Sequence, residues 1–311
     1  MIAREIKPWD KFSVGVNTVG LSDDALTEIK EWLSPLAGSR EIDRKPSERK
    51  LPLVTKEIAR AKSSFLDSGP GFFILDGLQK LAYQERDLAE TFQTLSLMIG
   101  EAMPQTSEGD FVVEVRDLGV TLGQGARYHH TREGGGMHTD SPQWNYVPDY
   151  LGLLCISKGF RGGACRLASG LQLYQELLRL YPEDVELLQQ PFYFDKRGDL
   201  AEGEEPTTFE PIISFRKNQI AIRYLRKYID DGHQLVGIPL TPSQVRALDH
   251  LDGLLDNDRL ILEFELEAGQ CYFANNHVIL HGRREFFDTD FMKRLCLRMW
   301  LQNRSPARRR D

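Results

Sequence analysis

The chain has 311 residues, 41% of them hydrophobic and 27% charged, with a formal net charge of −7. That length holds one large domain or two ordinary ones, and the composition is that of a soluble globular protein. The negative charge argues against nucleic acid as the default partner, and no run approaches the length of a membrane span.

Ser22, followed by Asp23 and Asp24, opens a helix over 22–33 with Leu26, Ile29 and Leu33 at helical spacing. A second helix is expected from Thr55 to about Leu66, stopped by Gly69-Pro70-Gly71. Phe72-Phe73-Ile74-Leu75 is short, apolar and bounded by turn residues, which reads as a buried strand. A long helix follows over about 82–102, with Leu88, Phe92, Leu95 and Ile99 on one stripe. Beyond Asp110 the texture changes. Runs 111–115, 150–157, 209–214, 219–223, 260–266, 271–274 and 295–301 are strand-like and rich in β-branched or aromatic residues. Two helices interrupt them. One starts near Ser169 and carries Leu173, Leu177 and Leu180; the other opens on the capping box Thr241-Pro242-Ser243-Gln244 and runs to about Leu255. This order suggests a β-sandwich or barrel flanked by helices. With no repeat and no clear linker, a single domain over 1–311 is expected: a helix-rich part to about 108, a β core over about 109–302 and a basic tail over 303–311. The tail (RSPARRR, 304–310) reads as a solvated end.

Four cysteines (Cys155, Cys165, Cys271, Cys296) show no CxxC spacing and lie in apolar contexts, so buried reduced thiols are expected. MIAREIKPWDKF carries no apolar signal region, which points to the cytoplasm.

The stretch that carries chemistry is Gly134-Gly135-Gly136-Met137-His138-Thr139-Asp140-Ser141-Pro142. On a strand, residues two apart share a face, so His138 and Asp140 can converge while Thr139 points away. An imidazole and a carboxylate suit a divalent first-row metal, and a second histidine would complete a 2-His-1-carboxylate triad with open positions. The competing reading is a plain His–Asp hydrogen bond on a loop. Of the seven histidines, His129 and His130 are adjacent and would face opposite sides of a strand; His233 and His250 sit in polar, surface-like segments. His281, followed by Gly282 and two arginines, is the better third ligand, and His277 reads as a structural or supporting residue.

Lys293-Arg294-Leu295-Cys296-Leu297-Arg298-Met299-Trp300 alternates basic and apolar residues, which puts Arg294 and Arg298 on one strand face. An arginine pointing into a barrel must find an anion, because an unpaired buried charge is very costly. A carboxylate gripped by guanidinium gains about 1.5–3 kcal/mol per charge-assisted bond. A metal triad plus an inward arginine therefore fits a small dicarboxylate; the alternative is pairing with Asp or Glu on a sheet face.

His138-Thr139-Asp140, the apolar strand 150–157 leading to Gly162-Gly163, Ala274-Asn275-Asn276 before Leu280-His281-Gly282-Arg283, and 294–301 resemble, in that order, the taurine dioxygenase/clavaminate synthase-like superfamily. Residues 69–75 also resemble its N-terminal glycine-aromatic strand, and the resemblance covers most of 65–302. It implies an α+β fold: a double-stranded β-helix (jelly-roll) core with a helix-rich N-terminal cover and helical inserts. It also implies Fe(II), with 2-oxoglutarate and O2 as co-substrates. Carried over, His138, Asp140 and His281 would be the iron ligands, Arg294 would bind the 2-oxoglutarate C5 carboxylate, and Arg298 would assist near the other end. Members often carry Thr or Ser shortly after the Gly-Gly pair to contact 2-oxoglutarate. Here Ala164-Cys165 follow, so the contact falls to Cys165 in weakened form or to Ser169.

The implied reaction is hydroxylation of an unactivated C–H with release of succinate and CO2. Asp140 favours it, because related halogenases have a small residue in place of this carboxylate. A desaturase or cyclase on the same iron centre is the nearest alternative. A non-catalytic ligand-binding jelly-roll would need no inward arginine, and a zinc hydrolase would need a carboxylate base near the metal. Gln124, Arg127, His129 and the 223–228 run, with Arg223, fall where members place substrate loops; each could equally be solvated. An amino acid or related carboxylate is the expected small-molecule substrate, with no nucleic-acid or membrane partner.

Overall fold

The computed structural model describes residues 5–33, 51–81, 84–106, 108–121, 127–198, 200, 203–216 and 219–303. The basic tail expected at the C-terminus lies outside these residues, as does Gln124.

The N-terminal part begins with β1 (Thr18–Gly20) and α1 (Asp23–Leu33), whose first turn is capped by the Ser22 hydroxyl accepting from the Ala25 amide. Next comes α2 (Pro52–Ala61), which starts earlier than Thr55 because Pro52 occupies the first turn, where a missing N–H is harmless. It continues through a π-helical turn (Lys62–Leu66) into β2 (Phe72–Asp76). Helix α3 (Glu85–Ile99) is shorter than expected. Residues 101–103 form β3 (Glu101–Met103), paired with the last strand of the chain. Gly100 permits that turn into the sheet: a Cβ there would lie 2.5 Å from the Gln302 carbonyl oxygen.

The core follows with β4 (Val113–Val115), β5 (Gly135–His138), β6 (Tyr150–Ser157), β7 (Arg161–Gly162) and β8 (Cys165–Ser169). An insert then holds α4 (Gly170–Leu180), α5 (Pro182–Leu188), β9 (Pro191–Asp195), β10 (Thr207–Pro211), β11 (Ile213–Arg216), β12 (Gln219–Ile222), α6 (Arg226–Leu235) and α7 (Pro242–Leu255). The core resumes with β13 (Ile261–Phe264), β14 (Cys271–Asn275), β15 (Ile279–Arg283), β16 (Phe286–Phe287) and β17 (Leu295–Gln302).

One sheet has the order β1-β2-β14-β6-β17-β3, with β4 also on β17; the other is β13-β8-β15-β5. They enclose a shared apolar interior containing Phe72, Leu151, Tyr272 and Trp300 from the first and Cys165, Leu167, Leu262 and Phe264 from the second. The alternate residues of the first sheet, among them Phe73, Leu154, Phe273, Leu297 and Met299, pack with α1, α2 and α3. Both faces of this sheet are therefore buried. That is why its strands read as unbroken apolar runs, with period two visible only where an arginine interrupts. The outer face of the second sheet, through Met137, Ala168, Ile261 and Leu280, packs against the insert.

The insert departs most from expectation. It holds four helices where two were anticipated, because α5 is too short to show periodicity and α6 opens within the 223–228 run expected as a loop. The strand expected over 209–214 is two: Pro211 ends β10, and the Ile212 amide bonds instead to Leu188. On α4, Leu173 and Leu177 are buried while Leu180 is exposed. The capping box of α7 forms in both directions. All four cysteines are buried free thiols. Among the described residues, no helix is long and apolar enough to cross a membrane.

Candidate metal centre and its two cavities

Strand β5 stops at His138, two residues short of the expected strand, and the chain turns through Ser141, whose φ is 54°. The i, i+2 relation survives. Thr139 faces away, exchanging hydrogen bonds with Tyr224: its amide donates to the Tyr224 carbonyl (2.9 Å) and its hydroxyl accepts from the Tyr224 amide (3.0 Å). His281 on β15 stands directly across from His138 in register. The Asp140 Oδ1 lies 3.8 Å from His138 Nε2 and 3.6 Å from His281 Nε2, and one donor atom from each of the three residues lies within 4.8 Å of the others.

Asp140 and His138 are each held by hydrogen bonds from within the chain. The Asp140 amide donates to Asn276 Oδ1 (2.7 Å), while Asn276 Nδ2 donates back to the Asp140 carbonyl (3.0 Å) and to that of Pro148 (3.1 Å). Trp300 Nε1 donates to Asp140 Oδ2 at 2.7 Å, and Arg298 Nη1 approaches Oδ1 at 3.4 Å. The His138 Nδ1 sits 2.9 Å from the Gly136 carbonyl, which fixes Nδ1 as the protonated nitrogen and leaves the Nε2 lone pair facing Asp140 and His281. Burial and the neighbouring His281 hold the His138 pKa down at about 4. Burial pushes the Asp140 carboxyl up, but Arg298 and the two imidazoles outweigh it and hold it well below the usual range. A neutral imidazole and an ionised carboxylate are the forms that ligate a divalent metal. Asn276 and Trp300 lie within the motifs legible in the sequence, but nothing in their spacing points to these contacts.

A cavity of about 90 Å³ runs from His138 and His281 between the sheets, past Leu153, Leu167 and Cys165, to Arg294. Arg294 is only 6% exposed, and its Nη1 has no hydrogen-bond partner. Its amide donates to Asp288 (2.9 Å) and its guanidinium lies 5.3 Å from the Phe286 ring centre. Gly163 makes room for it. At φ 81° a Cβ would be strained, and it would sit 3.3 Å from Arg294 Nε. Arg298 stands nearer the triad, its Nε donating to Gln105 (2.8 Å). Of the two side chains expected after the Gly-Gly pair, Cys165 lines this cavity. Ser169 does not: its buried hydroxyl caps α4, accepting from the Gln172 amide at 3.3 Å.

A second cavity of about 70 Å³ also reaches the triad, at His138 and Asp140, and is lined by Arg127, Tyr128, His129, Trp144 and Tyr228 among others. His129 and His130 lie in a 3-10 turn with ring centres 4.1 Å apart, rather than on opposite faces of a strand. Arg223 is not in this cavity. It is 8% exposed and donates to the carbonyls of Pro142 (3.1 Å) and Trp144 (3.0 Å), bracing the turn that follows Asp140. His277 is a supporting residue, with Nε2 2.7 Å from Asp149. His233, expected at the surface, is 4% exposed between the Tyr193 amide and the Ile238 carbonyl, and His250 packs on Tyr181 beside the buried Asp184.

Burial, with Arg298 adding to it, lowers the His129 pKa from 6.5 to about 3. A histidine with a depressed folded-state pKa binds its proton more readily when unfolded, so stability is lost as pH falls below 6.5 toward the folded value. With His138 contributing in the same sense, the metal-free protein should lose about 2 kcal/mol per imidazole between pH 7 and 5. Urea unfolding at the two pH values measures it; His129→Gln should remove roughly half the loss.

Two imidazole nitrogens and an ionised carboxylate oxygen, converging where the two sheets face each other, form the donor set of a candidate 2-His-1-carboxylate metal site. The description "Taurine catabolism dioxygenase TauD, TfdA family" matches residues 47–300, and the chain belongs to that family of dioxygenases. FR-33289 synthase of Streptomyces rubellomurinus (strain ATCC 31215) is 28% identical over 269 residues, covering 84% of this chain and 76% of the relative. An asparagine oxygenase in complex with Fe(II), 2S,3S-3-hydroxyasparagine and succinate superposes with a TM-score of 0.69 at 17% identity, over 92% of this chain and 94% of that one. The non-heme iron oxygenase OrfP in complex with Fe and alpha-ketoglutaric acid does so at 0.66 and 16% identity, over 93% and 95%. The fold is the double-stranded β-helix of these oxygenases.

Proposed function

We propose that this protein is an Fe(II)/2-oxoglutarate-dependent hydroxylase of a small polar metabolite, an amino acid or related carboxylate. The observation that carries this reading is Arg294: a buried guanidinium with a partnerless Nη1, at the far end of a cavity that starts at the triad. A buried cation so placed calls for an anionic ligand, and an oxo-diacid reaching from metal to arginine supplies one. Bound there, iron and 2-oxoglutarate supply oxidative decarboxylation to succinate and CO2, coupled to transfer of one oxygen atom from O2 to a C–H bond.

The chain's own share is positional. His138, Asp140 and His281 would hold the metal; Arg294 would grip the C5 carboxylate; Arg298 and Trp300 keep Asp140 ionised and oriented. Leu151, Leu153 and Leu167 line the cavity with apolar surface and exclude water from it. Among the described residues lining the two cavities, Asp140 is the one carboxylate, so a hydrolase lacks its base. The second cavity would take the primary substrate, with Arg127 facing its carboxylate and neutral His129 offering a hydrogen bond. Likeness to an asparagine oxygenase and to OrfP, solved with (3S)-hydroxy-L-Arg, supports an amino-acid substrate. Four unpaired buried thiols support a reducing compartment, the cytoplasm, and the reading treats 1–311 as one oxygenase domain.

Anaerobic addition of Fe(II) and 2-oxoglutarate should produce a weak visible charge-transfer band that bleaches with O2; a colourless protein refutes the reading. Screening amino acids for stimulated succinate release then identifies the substrate. Arg127→Ala should raise its KM roughly 10-fold or more while leaving that for 2-oxoglutarate in place.

A further inference from the structure

Tyr272 lies on β14 between Ile74 of β2 and Leu153 of β6, at a position facing the barrel interior. Its ring packs against Phe264, with centres 5.9 Å apart, and the residue is 2% exposed. By neighbours alone this is a site for phenylalanine. Yet the side chain carries a hydroxyl, and that hydroxyl is buried with no hydrogen-bond partner. A stranded buried O–H destabilises the fold, so its retention asks for a partner that arrives later.

The position of the residue says which. Tyr272 lines the same cavity as Arg294 and Cys165. Burial, with Cys165 and Asp140 nearby, pushes the phenol pKa well above its ordinary value, so the group stays a hydrogen-bond donor. Arg294 can satisfy two lone pairs of an incoming carboxylate in bidentate fashion, which leaves others open. A thiol at Cys165 is only a weak donor, and the Ser169 hydroxyl is committed to capping α4.

We propose that the Tyr272 hydroxyl is a second anchor for the distal carboxylate of the oxo-diacid, acting with Arg294 and replacing the hydroxyl that Cys165 lacks. This rests on the 2-oxoglutarate reading above and assigns the binding of its far end to two side chains.

The test uses the Mn(II)-loaded full chain, titrated calorimetrically with 2-oxoglutarate and with 2-oxovalerate, which has a methyl in place of the C5 carboxylate. Tyr272→Phe should weaken 2-oxoglutarate roughly 10- to 100-fold and leave 2-oxovalerate unchanged. Adding Cys165→Thr to that variant should restore much of the loss. The metal-free Tyr272→Phe protein should melt at or above the wild-type temperature, since only a partnerless hydroxyl is removed. A lowered melting temperature, or equal weakening of both oxo acids, would show that the hydroxyl serves the fold or the cavity shape, and the proposal fails. Wild-type affinity for 2-oxoglutarate in Tyr272→Phe sinks the proposal alone. If the wild-type protein binds no 2-oxoglutarate, the functional reading falls and takes this one with it.

Discussion

Asp140→Ala is expected to reduce 2-oxoglutarate turnover by more than ~100-fold, beyond what loss of an outer partner of a metal site costs. The carboxylate does three things at once in this structure. It offers the oxygen donor between two imidazoles, it accepts the Trp300 indole N–H at 2.7 Å, and it faces Arg298 at 3.4 Å. Alanine removes the donor and also leaves two buried or half-buried N–H groups without an acceptor, so stability should fall along with metal affinity. Asp140→Asn separates the two effects. An amide oxygen can still accept from Trp300 while the charge is gone, so unfolding should approach wild type and Fe(II) binding should remain weak. Succinate release, Fe(II) titration and urea unfolding on the three proteins decide it. Wild-type turnover in Asp140→Ala would remove the residue from the ligand set.

How far the site can be read from the chain depends on how local its geometry is. His138 and Asp140 converge because of a two-residue period, and that relation held even though the strand ends at His138. The Thr241 capping box is equally local, and it forms as written. The inward pair Arg294 and Arg298 was legible because charge breaks an otherwise apolar run on a strand buried on both faces. What holds Asp140 in place was not legible. Asn276 and Trp300 reach it from 136 and 160 residues away, and no periodicity encodes a hydrogen bond over that distance. Arg223 shows the opposite limit. A basic residue near a presumed substrate loop suggests an anion, but here the guanidinium satisfies the two carbonyls of the turn that follows the triad. The polar segment around His233 suggests a surface position, whereas α6 turns it inward against Tyr193. Tyr272 sat within a strand read only for its apolar character, where a hydroxyl is easily passed over.

Arg294→Met is expected to move binding and stability in opposite directions. In the metal-loaded protein, 2-oxoglutarate affinity should fall roughly 100- to 1,000-fold, the range for removing one partner of a buried, hydrogen-bonded charge pair. In the metal-free protein without ligand, the same change should stabilise by about 1–3 kcal/mol, because a partnerless buried N–H is exchanged for an apolar side chain of similar reach. Arg294→Lys should fall between the two in affinity, keeping the charge but losing the planar fork. Urea unfolding of the ligand-free proteins and calorimetric titration with 2-oxoglutarate measure both halves. A structural arginine, paired within the fold, would give the reverse: lower stability and unchanged affinity. The expected pattern has a direct physical origin, since a cation held 6% exposed beside Gly163 with an unmet donor would keep a cavity ready for a carboxylate at the expense of the empty protein's stability.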